Sequence, residues 1–215
     1  MSARFHPSDE TLLRYAAGTL DAGLRIVVAS HLEICPACRA HIADLEAVGG
    51  QLLTEMPAAA LETASPERLL ERAAVWRPSQ PFTVGASRPL EGLAPPLALR
   101  GCEVGDWRTV APGVRVSRVR VPGHPQARVI LLRARAGRRM PAHSHTAFEF
   151  TQVLTGSFSD NGNRYAPGDF VEGDVDTDHS PVIGEESECI SLAAITGQIR
   201  FHGALGRLLQ PFVGI

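Results

Sequence analysis

The segment HLEICPAC, residues 31–38, decides how the first third of the chain is read. Cys35 and Cys38 stand three apart with Pro36 between them, and His31 lies four residues upstream of Cys35. Positions i, i+4 and i+7 share one face of an unbroken helix. Pro36 interrupts that helix, so the cysteines are expected to hook around a turn, with the next helix starting near Cys38. Thiolate and imidazole are the ligands zinc prefers, and a structural zinc site takes four of them in a tetrahedron. His31, Cys35 and Cys38 supply three. His6 and His41 compete for the fourth place. His41 would share one rigid helix with Cys38 and constrain the tetrahedron. His6 lies just ahead of the first helix on a flexible segment and is preferred. A redox dithiol of the thioredoxin kind wants a strand before the Cys-x2-Cys, whereas here a helix precedes it.

Working outward, residues 1–76 read as four helices. Ser8, Asp9 and Glu10 form a start signal before Leu12, Leu13, Tyr15, Ala16 and Leu20. Leu24, Val27, Val28 and Leu32 continue with a 3–4 period, Ile42, Leu45, Val48 and Leu52 carry a third helix weakened by Gly49 and Gly50, and Ser65-Pro66-Glu67 opens a fourth. Residues 77–102 hold Pro78, Pro81, Pro89, Pro95 and Pro96 with little periodicity and read as a linker. From 103 to 215 the pattern changes to short strands separated by Gly and Pro turns, including a hairpin turn DNGN at residues 160–163 and an apolar strand CISLAAI at 189–195. The expected fold is therefore α plus all-β: a small helical zinc-binding bundle, a linker, and a closed sandwich or barrel.

The β region carries a second constellation. In GRRMPAHSHTAFEFTQVLTG, residues 137–156, His143 and His145 would project from one face of a strand, since side chains repeat every two residues. Glu149 follows two pleats on, or on the neighbouring strand after a bend. Together they can hold three positions around a divalent ion, and imidazole plus carboxylate suits Zn, Fe, Mn, Ni or Cu. His124 and His202 have no partners at useful spacing. Cys102 and Cys189 are ambiguous between burial and reactivity.

Composition bounds the function. The chain has 215 residues, 44% of them hydrophobic, and a formal charge of -2. All 21 basic residues are Arg. Residues 1–76 hold six Arg against ten acidic residues, a net of -4, whereas 77–215 hold fifteen Arg against thirteen, a net of +2. There is no basic face to advertise direct nucleic-acid binding, and an acidic front suits a basic protein partner. No apolar signal core opens the sequence and no run of roughly 18 apolar residues occurs, so a cytoplasmic protein with no membrane partner is expected. Four cysteines do not make a disulfide framework, and beside histidines they point to metal. A four-helix unit of this length has a small core, to which zinc could add on the order of 10 kcal/mol.

An N-terminal His followed by His-x3-Cys-x2-Cys between two helices resembles the zinc-binding anti-sigma domain. The phrases YAAGTL (15–20), ASHLEICPAC (29–38) and LEAVGG (45–50) resemble the ChrR-type anti-sigma factors in particular. The spacing of His143, His145, Glu149 and Gly156 matches the first cupin motif, and YAPGD (165–169) is similar to the turn of the second. The resemblance implies a zinc held by His6, His31, Cys35 and Cys38, and a second divalent metal held by His143, His145, Glu149 and His179. It implies an extracytoplasmic-function sigma factor as partner and no catalytic residues. It also implies release of that partner on an oxidative signal, singlet oxygen or an organic peroxide, sensed by the cupin and passed through the linker. Some relatives carry Cys-x-Cys where this chain has Cys189-Ile190-Ser191, which argues against a dithiol sensor. The rival readings are a cupin metal-dependent dioxygenase with an N-terminal zinc interaction module, and a zinc-dependent DNA-binding regulator, which the acidic front disfavours.

Overall fold

The computed structural model describes residues 3–58, 66–75 and 94–202. Its helices are α1 (Asp9–Ala16), α2 (Ala22–Ile34), α3 (Pro36–Glu55) and α4 (Pro66–Val75). The Ser8 hydroxyl accepts from Thr11 N (3.2 Å) and the Asp21 carboxylate from Gly23 N (2.8 Å), satisfying amides that the first turns of α1 and α2 leave open. Pro36 opens α3 instead of merely ending α2. Proline has no N–H to lose at the first helical position, and Cys35 is the single extended residue between the two helices. α3 also runs through Gly49 and Gly50 to Glu55, because nothing lies within 4 Å of a Cβ built at either glycine and the helix there is solvated.

Thirteen strands follow among the described residues: β1 (Glu103–Val104), β2 (Arg108–Ala111), β3 (Val114–Arg120), β4 (Arg128–Ala134), β5 (His143–His145), β6 (Glu149–Thr155), β7 (Phe158–Asp160), β8 (Asn163–Tyr165), β9 (Phe170–Gly173), β10 (Asp178–His179), β11 (Val182–Ile183), β12 (Cys189–Ile195) and β13 (Ile199–Phe201). The large antiparallel sheet has the order β1-β3-β4-β12-β6-β9, with β2 also on β3. Two three-stranded sheets, β10-β5-β13 and β11-β7-β8, complete the β-rich cupin-like domain. The β7–β8 hairpin turns through Asn161 (φ 46°) and Gly162 (φ 79°), the paired left-handed residues that the DNGN stretch predicts.

The helices do not keep a core to themselves. α2 packs on β12, β6 and β4, and one apolar cluster joins Leu12, Leu24, Val27 and Val28 to Val129, Leu131, Phe150, Phe170, Leu192 and Ala194. This explains why CISLAAI is buried at every position: Leu192 and Ala194 join the helix-side cluster, while Cys189, Ser191 and Ala193 line the interior of the β domain. Leu24, Val27 and Val28 are fully or almost fully buried, and each such side chain contributes about 1.5–3 kcal/mol. Of the stretch expected as a linker, residues 77–93 lie outside the described residues. Its end is packed: Leu99 is completely buried in a 3-10 turn, Leu97–Leu99, and Glu33 at the end of α2 accepts from Leu97 N (2.8 Å) and Ala98 N.

At Gly23 the helix approaches the sheet closely. A Cβ there would stand 3.2 Å from Val129 Cγ2 and 3.5 Å from the Ala194 Cβ. Gly23→Leu is therefore expected to lower stability by about 1–3 kcal/mol through overpacking. Gly49→Ala, in open space on α3, is expected to raise it by about 0.5–1 kcal/mol. Chemical denaturation midpoints of the two variants check the contrast.

Candidate metal centres

The first cluster forms where α2 hands over to α3. His31 is on the last turn of α2, Cys35 at the junction, Cys38 in the first turn of α3, and His6 on the segment entering α1. His31 Nε2 is 3.3 Å from Cys38 Sγ, and His6 Nδ1 is 3.4 Å from both Cys35 Sγ and Cys38 Sγ. Ligands about 2.0 Å (N) and 2.3 Å (S) from a tetrahedral zinc stand about 3.3–3.8 Å apart, so the donor set and its spacing fit that ion. His31, Cys35 and Cys38 are buried, whereas His6 is exposed. His41 is not brought into the cluster. Its Nδ1 faces Asp9 Oδ1 at 3.6 Å on the surface.

The His31 ring is oriented from its other side. Its Nδ1–H donates to the Gly168 carbonyl (3.0 Å), in the turn between β8 and β9, which leaves the Nε2 lone pair aimed at the cluster. Burial holds the His31 pKa down at about 4, against the opposing pull of the Gly168 bond and with help from the His6 charge. Burial, with Cys35 alongside, pushes the Cys38 thiol up to about 12. A bound cation reverses that balance, since a coordinating thiol is deprotonated outright.

The second cluster lies inside the β domain. His143 and His145 project from β5, Glu149 opens β6 after a bend, and β10 pairs with β5 so that His179 stands opposite His143. The His179 Nε2 is 3.0 Å from His143 Nε2 and 3.1 Å from His145 Nε2, and Glu149 Oε2 is 3.0 Å from His145 Nε2. Adjacent ligands about 2.1 Å from an ion at right angles stand about 3.0 Å apart, matching a divalent metal with N and O donors. The tautomers point the same way. His143 Nδ1 faces the Pro141 carbonyl (2.8 Å) and His179 Nδ1 faces Asp160 Oδ2 (2.7 Å), so both Nδ1 atoms carry the hydrogen. Two Nε2 lone pairs then meet at 3.0 Å, an arrangement that a cation between them resolves.

Without a metal, electrostatics hold His143 and Glu149 in their ligating forms and push His179 toward its protonated form, which a bound cation would have to displace. Burial lowers His143, against the pull of Glu149 and Pro141. Burial would raise Glu149, but the His145 bond and the charges of the three histidines outweigh it and hold it below the usual carboxylate range. Burial would lower His179, but the Asp160 bond and the charges of Glu149 and Asp160 outweigh it. Asp160, which holds His179 beside the cluster, is the residue that sequence reading missed. It ends β7 just before the DNGN turn, and the turn accounts for its residue type without any role at a metal. The cluster borders a cavity of about 130 Å³ whose lining is otherwise mostly apolar, with Val116, Ile130, Leu132, Phe158 and Ile183 among its walls.

A family model described as a putative zinc-finger matches residues 9–39, and one described as the ChrR cupin-like domain matches 98–198. The anti-sigma-E factor ChrR of Cereibacter sphaeroides is 37% identical over 222 residues, covering 100% of both chains. The chain belongs to the ChrR family of anti-sigma factors. A crystal structure of Rhodobacter sphaeroides SigE in complex with the anti-sigma ChrR superposes with a TM-score of 0.72 at 35% identity, covering 91% of this chain and 100% of that one. An RmlC-like cupin protein from Ralstonia eutropha JMP134 aligns over 49% of this ChrR-family chain and 70% of its own length, with 20% identity and a TM-score of 0.41.

Three outcomes are expected at these centres. His6→Ala should lose the tightly held zinc while His41→Ala keeps one ion in the N-terminal cluster, read by metal stoichiometry. Asp160→Asn should weaken metal binding in the β domain by about 10–100-fold, read by competition with a chromophoric chelator. In metal-free protein, His31 titrates near 6.5 unfolded and near 4 folded, so between these values the unfolded chain binds more protons. The stability from the neutral ring is full above pH 6.5 and is lost as the pH falls to 4, by about 3 kcal/mol. Denaturation of the metal-free chain across this window checks the slope.

Proposed function

We propose that this chain is a cytoplasmic anti-sigma factor that binds and inhibits an extracytoplasmic-function sigma factor and releases it on an oxidative signal. The observation that carries the reading is the end-to-end match to a protein named anti-sigma-E factor. The surface of the helical part supports it. Val48 and Leu52 stand four residues apart along α3 beside Leu53, Met56 follows just past the helix end, and all four are exposed, as is Leu70 on α4. An apolar ridge of this kind, on the part of the chain with a net charge of -4, suits a basic protein with apolar pockets better than it suits nucleic acid. No helix among the described residues is long and apolar enough to cross a membrane.

In this reading residues 1–76 capture the sigma factor, 77–102 connect, and 103–215 sense. Zinc held by His6, His31, Cys35 and Cys38 supplies a closed structural cross-link, with no open position for a signal. The metal held by His143, His145, Glu149 and His179 is zinc, iron, manganese or nickel, and borders the cavity that admits the signal. The inducing signal is singlet oxygen or an organic peroxide. The packing of α2 on the sheet, the Gly168–His31 bond and the clasp of Glu33 on residues 97–98 give a change inside the β domain a direct route to the helices, beside any route through the connecting segment. A signal acts by favouring one of two states of that interface.

The protein is not an enzyme in this account. The cavity beside the second cluster favours one rival, a metal-dependent dioxygenase. Oxygen consumption with the iron-loaded protein and small diketones would establish it. The anti-sigma reading is tested by Leu52→Ala with Leu53→Ala. Each such anchor contributes about 2 kcal/mol, so the pair should weaken sigma binding by at least ~30-fold in calorimetric titration while both metals stay bound. Undiminished binding would place the contact elsewhere.

A further inference from the structure

We propose that Met140 is an oxidation site, the sulfur at which a small apolar hydroperoxide entering the β-domain cavity leaves its oxygen. The inference rests on the oxidative reading above and adds the residue that records the signal. Met140 lines the cavity together with His143, Glu149 and His179, so a molecule held there shares its space with a thioether. The cavity, about 130 Å³, is close in size to the ~150 Å³ apolar cavities that stay dry and take up benzene-sized molecules. A compact alkyl hydroperoxide fits that chemistry: an apolar body for the walls and a polar O–OH end for the polar corner.

Two sulfurs line the space, and they are not equivalent. Cys189 faces the same cavity, but burial lifts its thiol to about 12, so it stays protonated and a poor nucleophile. A thioether needs no deprotonation. The step balances without a further reagent. The Met140 sulfur attacks the terminal hydroperoxide oxygen, the O–O bond breaks as the S–O bond forms, and the sulfur loses two electrons. The departing alkoxy oxygen keeps the electron pair and takes the hydroperoxide proton. The products are methionine sulfoxide and the alcohol.

The position converts this chemistry into movement. Met140 packs against the apolar cluster of Phe158, Tyr165, Ile183 and Cys189, and Phe5 packs against the same cluster. Tyr165 contacts the Phe5 ring (4.6 Å between centroids) and the Phe158 ring (5.0 Å). Phe5 is the neighbour of His6 in the first metal cluster. Backbone bonds also tie Met140 to the strand connection after His179: Met140 N donates to the Pro181 carbonyl (2.8 Å) and Ser180 Oγ to the Met140 carbonyl (2.8 Å). A sulfoxide dipole in this cluster disfavours its packing and pushes toward the segment that carries His6.

The chain supplies its own reference, because Met56 is exposed at the end of α3. Full-length protein carrying both metals is exposed to tert-butyl hydroperoxide or to hydrogen peroxide, and oxygen addition is followed peptide by peptide. The expected result is a several-fold faster gain at Met140 than at Met56 with the alkyl hydroperoxide, and the reverse order with hydrogen peroxide. Met140 left unoxidised while Met56 reacts with both would overturn the proposal. In a second arm, Met140→Leu, which keeps volume, should bind the sigma factor as the parent does and fail to release it on alkyl hydroperoxide. Parent-like release from this variant also overturns the proposal. If Met140 is oxidised selectively and the parent complex nevertheless stays intact, the oxidation site stands and the reading of oxidative release is what fails.

Discussion

The structure turns on the two-sided engagement of one imidazole. His31 donates from Nδ1 to the Gly168 carbonyl and presents Nε2 to Cys38, so a single neutral ring joins the metal cluster of the helices to a turn of the β domain. Only glycine serves at position 168. Its φ is +99°, and a Cβ would come to 3.0 Å from Ile34 Cδ1. The same turn holds the entering strand of chain. Asp169, buried, accepts from Arg4 N (2.6 Å), Phe5 N (3.1 Å) and Ala166 N (2.8 Å), and Phe170 N donates to the Phe5 carbonyl. The turn that resembles the second cupin motif thus also works as a clasp for the segment bearing His6.

That clasp makes the large sheet a two-faced device. Its outer face is the floor on which α2 lies, and its inner face lines the cavity and bears Glu149. Alternation along β12 and β6 puts neighbouring residues to opposite uses: Leu192 and Phe150 join the helix-side cluster, Ser191 and Glu149 line the cavity. Close packing transmits small displacements instead of absorbing them, so the inner face cannot change shape without the outer face responding.

The parts legible in the sequence were those governed by short-range rules. His31, Cys35 and Cys38 announce a cluster because their spacing brackets a proline; His143, His145 and Glu149 do so because strands repeat every two residues. The DNGN turn follows from left-handed backbone at Asn161 and Gly162. What was hidden depended on long-range packing. Asp160 reads as a turn residue until β10 brings His179 beside it. The apolar stripe of α2 reads as the core of a small bundle, whereas it packs on the sheet as well. Leu99 sits in a proline-rich stretch and is nonetheless wholly buried. The passage of α3 through Gly49 and Gly50, by contrast, was legible, since the apolar spacing of Ile42, Leu45, Val48 and Leu52 outweighs the weak propensity of two glycines.

Calorimetric unfolding of the full chain, with and without Cys35→Ser, tests the central claim that helices and β domain form one cooperative unit through His31 and the shared core. The account predicts one transition in which helical and tertiary signals of the β domain melt together, and which shifts as a whole to lower temperature in the variant. Helices that melt alone at low temperature, with an unshifted transition for the β domain, would contradict it.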